Sequence, residues 1–346
     1  MNFIKKLIME VINEEQLDEK LITYNNRAPY GQVVFLAGGA GSGKGFAGSN
    51  FLDSAGFKVR DVDEMKKQLQ KLNRLDKIDV DTIIKKFGKR IKPKDMEEIQ
   101  KVFNTELPKG GNRTLRNLNL KNSDHVSVLH NLVKAMGIKD NSLINMLAAT
   151  NNPETLPNIM FDITAKDLSD ITDVLPMLKK AGYDSKNVHL TWVLTKYEVA
   201  VDNNSTRERM VPADILLKTH EGASTTVWNL LTTALPKGLN GRIDVILNNK
   251  ENTVFYNTDG GRTDDPNNTK AMTRNQDDVS VKITGQGDDA KRSREVTREK
   301  TKFVADFLSL PIKKAGGGLV AHDVWKKILF SWIKDNAPKS ITSKMK

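Results

Sequence analysis

The chain has 346 residues, a formal net charge of +11 and no cysteine. Disulfides and thiolate metal sites are therefore excluded, which fits a reducing compartment. The positive balance favours an anionic partner, either a nucleic acid or a phosphorylated small molecule. With 28% charged and 38% hydrophobic residues, the composition is that of a globular protein long enough to bury a sizeable core.

Residues 1–29 read as a helical appendage, with Phe3, Ile4, Leu7, Ile8 and Val11 at helical spacing. Lys5, Lys6 and Glu10 interrupt these apolar residues and no small-residue cleavage site follows, so the stretch does not read as a signal peptide. No uninterrupted apolar run approaches about 18 residues, so no transmembrane helix is expected. The expectation is a cytoplasmic protein with no membrane partner.

A first strand is predicted at 32–37. It runs into Gly38-Gly39-Ala40-Gly41-Ser42-Gly43-Lys44-Gly45, and a helix is predicted from Phe46 to Ser54, ending at Gly56. A strand, a glycine loop closing on Gly-Lys and a helix form a phosphate cradle. Glycines let backbone N–H groups turn toward the anion, the helix N-terminus adds partial positive charge, and Lys44 reaches the β/γ-phosphates. The pattern G-x-x-x-x-G-K-[ST] is met except at Gly45, where a magnesium-binding hydroxyl is expected.

Phe57 and Val59 alternate with polar residues and predict a second strand ending in Asp61-Val62-Asp63-Glu64-Met65-Lys66. Ligands of open α/β sheets bind beyond the carboxyl ends of the strands. These carboxylates could therefore meet a substrate hydroxyl beside a γ-phosphate, or Asp61 or Asp63 could cap the next helix. A polar, basic, helical insertion is expected at about 67–155. Lys85, Lys86, Lys89, Arg90, Lys92 and Lys94 belong to its basic run, which reads either as a solvated face or as a footprint for a polyanion.

The α/β pattern resumes at Asn158-Ile159-Met160-Phe161-Asp162, where an Asp closing an apolar run can hold magnesium directly or through water. A helix is predicted over 168–181 and a strand over 188–194, with His189 as a structural residue. The polar stretch Asn203-Asn204-Ser205-Thr206-Arg207-Glu208-Arg209 follows. Its two arginines suit phosphate oxygens, and as a mobile lid at about 200–222 it would exclude water. The helix after Pro212 carries His220, read as structural. A strand is predicted over 241–249, in a hairpin with 253–256. Residues 257–290 are predicted as loop, 291–310 as helix, and 320–332 as an amphipathic helix before a basic tail.

Four stretches carry a resemblance: GGAGSGKG at 38–45, DVDEMK at 61–66, IMFDIT at 159–164 and NNSTRERMVPADILLKTHEG at 203–222. Over about residues 30–250 the chain resembles the P-loop kinases of the zeta-toxin and polynucleotide-kinase group, including bacteriophage relatives. The resemblance implies a three-layer α/β P-loop NTPase core of kinase type, 30–250, with a mainly parallel sheet, a helical insertion and a C-terminal extension, 251–346. It implies ATP and Mg2+ as cofactors and transfer of the γ-phosphoryl group to a hydroxyl of a nucleic acid, nucleotide or nucleotide sugar.

By that resemblance Lys44 holds the β/γ-phosphates and Asp63 takes the general-base position. Lys66 stands where a substrate-binding arginine is usual, and Arg207 and Arg209 stabilise the transferring group. GGAGSGKG also resembles the adenylate-kinase loop, which has glycine at the position of Gly45; magnesium is then held through water and carboxylates, with Asp162 as the candidate. The alternatives are an acceptor-independent NTPase and a non-catalytic nucleotide-binding or assembly protein. If the chain is phage-encoded, its location is the host cytoplasm. The sequence leaves the acceptor and the oligomeric state open.

Overall fold

The computed structural model describes Ile22, Tyr24, residues 30–52, 56–61, 80–106, 113–137, Leu143, Leu147, 156–207, 210–248, 254–256, 262–263, 272–284, 291–303, 305–306, 308–318 and 322–338. Its centre is a six-stranded sheet. Five strands run parallel: β1 (Val33–Ala37), β2 (Phe57–Asp61), β3 (Asn158–Ile163), β4 (Val188–Leu194) and β5 (Ile243–Leu247). The sixth, β11 (Leu308–Lys313), lies antiparallel against β5, and the order across the sheet is β11-β5-β4-β1-β3-β2. The sheet is a mixed, mostly parallel one of the kind found in α/β nucleotide-binding folds.

Both faces of the sheet's centre are covered, which is why β1, β4 and β5 are buried throughout, while the edge strand β2 is partly exposed. Successive side chains point to opposite faces, so Val33, Phe35 and Ala37 enter one core while Val34 and Leu36 enter the other. The first core is the larger. There Phe161 stacks on Phe35 at 5.1 Å between ring centroids, and Trp192 is fully buried. Helices α5 (Ser169–Thr172), α6 (Leu175–Lys180), α8 (Ala213–Thr232) and α9 (His322–Asn336) contribute to that core. On the second face lie α1 (Lys44–Asn50) and the N-terminal residues Ile22 and Tyr24. Full burial of a side chain such as Phe35 or Trp192 contributes roughly 1.5–3 kcal/mol or more.

The helix following β1 is thus on one face and the helices following β3 and β4 are on the other. The segments beyond the carboxyl ends of β1 and its neighbours occupy the place where such sheets bind ligands. Between β2 and β3 the chain builds α2 (Val80–Phe87), α3 (Pro93–Lys101) and α4 (Ser123–Ala135). They share a separate apolar cluster that includes Ile83, Ile99, Phe103, Leu129 and Leu132. Asn122 caps α4, its side chain accepting from the N–H groups of Asp124 and His125.

Several expectations change here. The helix predicted over 168–181 is two short helices, the second starting at Leu175 with Pro176 in its first turn, a residue that lacks the N–H needed to continue the first. Residues 254–256 pair with β7 (Arg262–Thr263) and β10 (Ala305–Asp306), not with β5. The stretch predicted as loop contains β8 (Met272–Thr284), and the stretch predicted as helix forms β9 (Lys291–Phe303) and the start of β11. β8 and β9 pair antiparallel through thirteen positions, with Asp277 opposite Arg298 and Val279 opposite Val296. The basic residues of β9 at 292, 294, 298, 300 and 302 alternate with period two, so their spacing suits a strand as well as a charged helix.

Candidate nucleotide site

β1 delivers the chain into the loop 38–45 at the carboxyl end of the sheet. Gly41 and Gly43 take positive φ, 75° and 83°, a region that side chains strongly disfavour. The close approaches are as demanding as the dihedrals. A Cβ on Gly39 would lie 2.6 Å from His220 Nε2, and one on Gly41 would lie 2.6 Å from the carbonyl oxygen of Ala200. Gly45 is the opposite case: it is exposed, and a Cβ there would meet nothing within 4 Å.

Three consecutive loop carbonyls are anchored by side chains from four other segments. His220 of α8 donates from Nε2 to Ala40 at 2.6 Å. Asn203, on α7 (Tyr197–Ser205), donates from Nδ2 to Gly41 at 3.0 Å. Thr195, just past β4, and Asn248, just past β5, donate to Ser42 at 2.7 and 2.8 Å. Thr219 adds a fifth tie by accepting the N–H of Ala40 at 3.2 Å. With its carbonyls turned outward, the loop presents amides inward. Among the described residues the N–H groups of Gly41, Gly43, Lys44 and Gly45 take no hydrogen-bond partner. Ser42 Oγ is buried and likewise without one. This is a set of unspent donors at a helix start, the electrostatic requirement for holding phosphate oxygens.

The Lys44 ammonium donates to the carbonyls of Gly38 at 2.8 Å and Gly39 at 3.3 Å, and lies 3.6 Å from Asp162 Oδ1. Asp162 sits near the carboxyl end of β3, level with Leu36 of β1 on one side and Asp61 of β2 on the other. The expected lysine and the expected Asp therefore converge on the loop. Burial holds the His220 imidazole below its ordinary pKa; the Ala40 carbonyl opposes this and the Lys44 charge adds to it. His220 is thus a neutral donor, with Tyr197 packed edge-on at 5.5 Å.

The arginine stretch leaves α7 beside the loop. Asn204 is buried, donating from Nδ2 to the Val211 carbonyl and accepting the Val211 N–H, both at 2.9 Å. Val211 in turn clusters with Ala40, Leu216 and Tyr197. Both ends of the arginine loop are therefore clasped next to the phosphate loop. Arg207 is exposed on that loop. Asp63, Lys66 and Arg209 lie outside the described residues.

Among the described residues no group of three or more His, Asp or Glu side chains is arranged to hold a metal ion. Magnesium is commonly bound by one or two carboxylates with waters and substrate phosphates completing an octahedron, and Asp162 beside the loop suits that mode. Also among the described residues, no helix is long and apolar enough to cross a membrane.

Thr195, Asn203, Thr219 and Asn248 were not singled out by sequence reasoning. Thr195 follows directly on one predicted strand and Asn248 lies in the last two residues of another, and that position at the carboxyl ends is the signal that could have found them. His220 was read as structural, and the structure shows what it supports.

No protein-family model matches the chain, and no curated protein matches it. Two solved structures are similar to it. One is a crystal structure of AvrRxo1-ORF1:AvrRxo1-ORF2 with sulphate ions, at 11% identity and a TM-score of 0.34, the match covering 75% of this chain and 65% of that one. The other is AvrRxo1-ORF1:-ORF2 with ATP, at 10% identity and a TM-score of 0.36, covering 99% of this chain and 80% of that one. This chain therefore spans a little under two thirds of the first of the two.

Proposed function

We propose that the chain is a P-loop kinase of the zeta-toxin and polynucleotide-kinase type, binding ATP at residues 38–45 and transferring its γ-phosphoryl group to a hydroxyl acceptor. The observation that carries this reading is the anchoring of the Ala40, Gly41 and Ser42 carbonyls, which leaves the loop amides and Lys44 to the phosphates. The acceptor is a nucleic acid, nucleotide or nucleotide sugar.

In the proposed reaction the acceptor oxygen forms a bond to the γ-phosphorus as the bond from that phosphorus to the β,γ-bridging oxygen breaks, and ADP leaves. Asp63, two residues past the end of β2, takes the acceptor proton. Lys44 moves from the Gly38 and Gly39 carbonyls onto the β/γ-oxygens, exchanging neutral acceptors for charged ones, which bind about twice as strongly. Asp162 would hold magnesium through water, and the ion would neutralise charge on the β- and γ-oxygens. Arg207 and Arg209 would close on the equatorial oxygens, their loop based on the Asn204–Val211 clasp. Catalysis is then positioning plus electrostatic stabilisation, and Lys66 contacts the acceptor as a point charge.

The test is transfer of label from γ-labelled ATP to separate pools of nucleic acid, nucleotides and nucleotide sugars. Label should appear in one pool, vanish with Lys44→Ala, and fall at least about a hundredfold with Asp63→Asn while ATP still binds. Full transfer by Asp63→Asn would remove the base assignment. Release of inorganic phosphate at one rate with or without acceptor would make the chain an NTPase.

A further inference from the structure

Helices α2, α3 and α4 share their own core, and none of their described residues belongs to the site above. The basic residues of this segment are not spread evenly. Lys85, Lys86, Lys89, Arg90, Lys92 and Lys94 are all exposed, and no acid interrupts the run from 85 to 94. Two acids of the same segment are engaged elsewhere, Asp81 with Arg113 at 3.0 Å and Asp124 with Lys101 at 3.9 Å, while Asp95, Glu97 and Glu98 follow the run in α3. Among the described residues the five lysines of the run make no ion pair. Arg90 lies over the Phe87 ring and donates to the Ala135 carbonyl at 3.4 Å, neither of which carries a formal charge.

Local helix electrostatics accounts for part of this pattern. Lys85 and Lys86 close α2, where a helix favours cations. Lys92 is the N-cap of α3, offering no side-chain cap, and Lys94 lies in its first turn. The macrodipole there favours acids, and Asp95 supplies one in the same turn, with Lys92 and Lys94 exposed beside it. Exposed as they are, the cations of the run are open to an anion from outside the chain.

The surroundings narrow the kind of anion. Among the described residues, none of the large exposed apolar side chains falls between 80 and 137, so the described surface offers no anchor for a lipid bilayer or an apolar protein face. Phe87 is half-buried and Phe103 buried, so it has no exposed aromatic platform to stack unpaired bases. Exposed, flexible ammonium groups without such a platform suit a regular array of phosphates read without sequence.

We propose that this surface binds the phosphate backbone of a nucleic-acid duplex, independently of base sequence and of the phosphotransfer reading above. The test is fluorescence anisotropy of a labelled random-sequence DNA duplex, titrated with the full chain between about 50 and 200 mM salt. Log K should fall linearly with log salt, with a slope of about −0.9 for each phosphate neutralised. Replacing Lys89, Lys92 and Lys94 together by Gln should make that slope shallower by about 2 to 3 and weaken binding at least about tenfold. Unchanged ATP affinity and an unchanged melting temperature in the same variant would show that fold and nucleotide site are intact. Equal affinity and slope in variant and parent, or no duplex binding at low salt, would overturn the proposal. So would preferential binding of single strands or of phosphatidylserine vesicles.

Discussion

His220 Nε2 donates to the carbonyl oxygen of Ala40 at 2.6 Å, joining the middle of the long helix α8 to the phosphate loop across 180 residues of sequence. The bond requires a proton on Nε2, and burial favours the neutral imidazole that carries it there. Replacement by Ala removes the donor and opens space behind Gly39. A net hydrogen bond is worth roughly 1 kcal/mol and a buried orphan acceptor costs up to about 3. His220→Ala should therefore weaken ATP binding about five- to a hundredfold by calorimetry.

The glycines of the loop divide into two kinds. Gly39→Ala should lower ATP affinity, because the added carbon would meet the His220 ring at 2.6 Å. Gly45→Ala places a methyl in open space within α1 and should raise stability by about 0.5–1 kcal/mol through helix propensity. Thermal melts of the two variants should move in opposite directions.

Asn204 supplies both halves of the clasp on Val211. Asn204→Ala leaves a buried N–H and carbonyl unpaired, at a cost of about 1–3 kcal/mol each. The melting temperature should fall. If the arginine loop acts in transfer, turnover should fall further than ATP affinity, which separate kcat and binding measurements would show.

A second buried histidine sets a pH dependence. His189 accepts the N–H of Arg242 on Nδ1 and meets Gln32 Oε1 through Nε2 at 2.8 Å. Desolvation, with Arg242 and Lys313 adding to it, pushes its pKa from 6.5 to about 3. On acidification through 6.5 the unfolded chain takes up a proton that the folded chain refuses until about pH 3. Stability present above 6.5 is therefore lost progressively as the pH falls through that window. His189→Gln should melt lower at pH 7 yet lose less of its melting temperature between pH 6.5 and 4 than the parent.

Much of the architecture was legible because buried parallel strands are apolar runs, and Val33–Ala37, Asn158–Ile163 and Val188–Leu194 stand out as such. The glycine loop was legible because its constraints are local. The anchors were not, since Asn248 is 206 residues from the Ser42 carbonyl it holds, and nothing near either residue marks the pairing. The stretch 291–303 failed for another reason: dense charge satisfies several spacings at once, and pairing with β8 decides among them. Likewise, no local pattern could announce that β11 would complete the sheet beside β5.

The most direct test of phosphoryl transfer at this loop is phosphorus NMR of ATP incubated with the protein, magnesium and the acceptor pools. The account predicts loss of the γ-resonance matched by a new phosphomonoester resonance on the acceptor, absent with Lys44→Ala. Growth of inorganic phosphate alone, or an unchanged ATP spectrum with every pool, would contradict it.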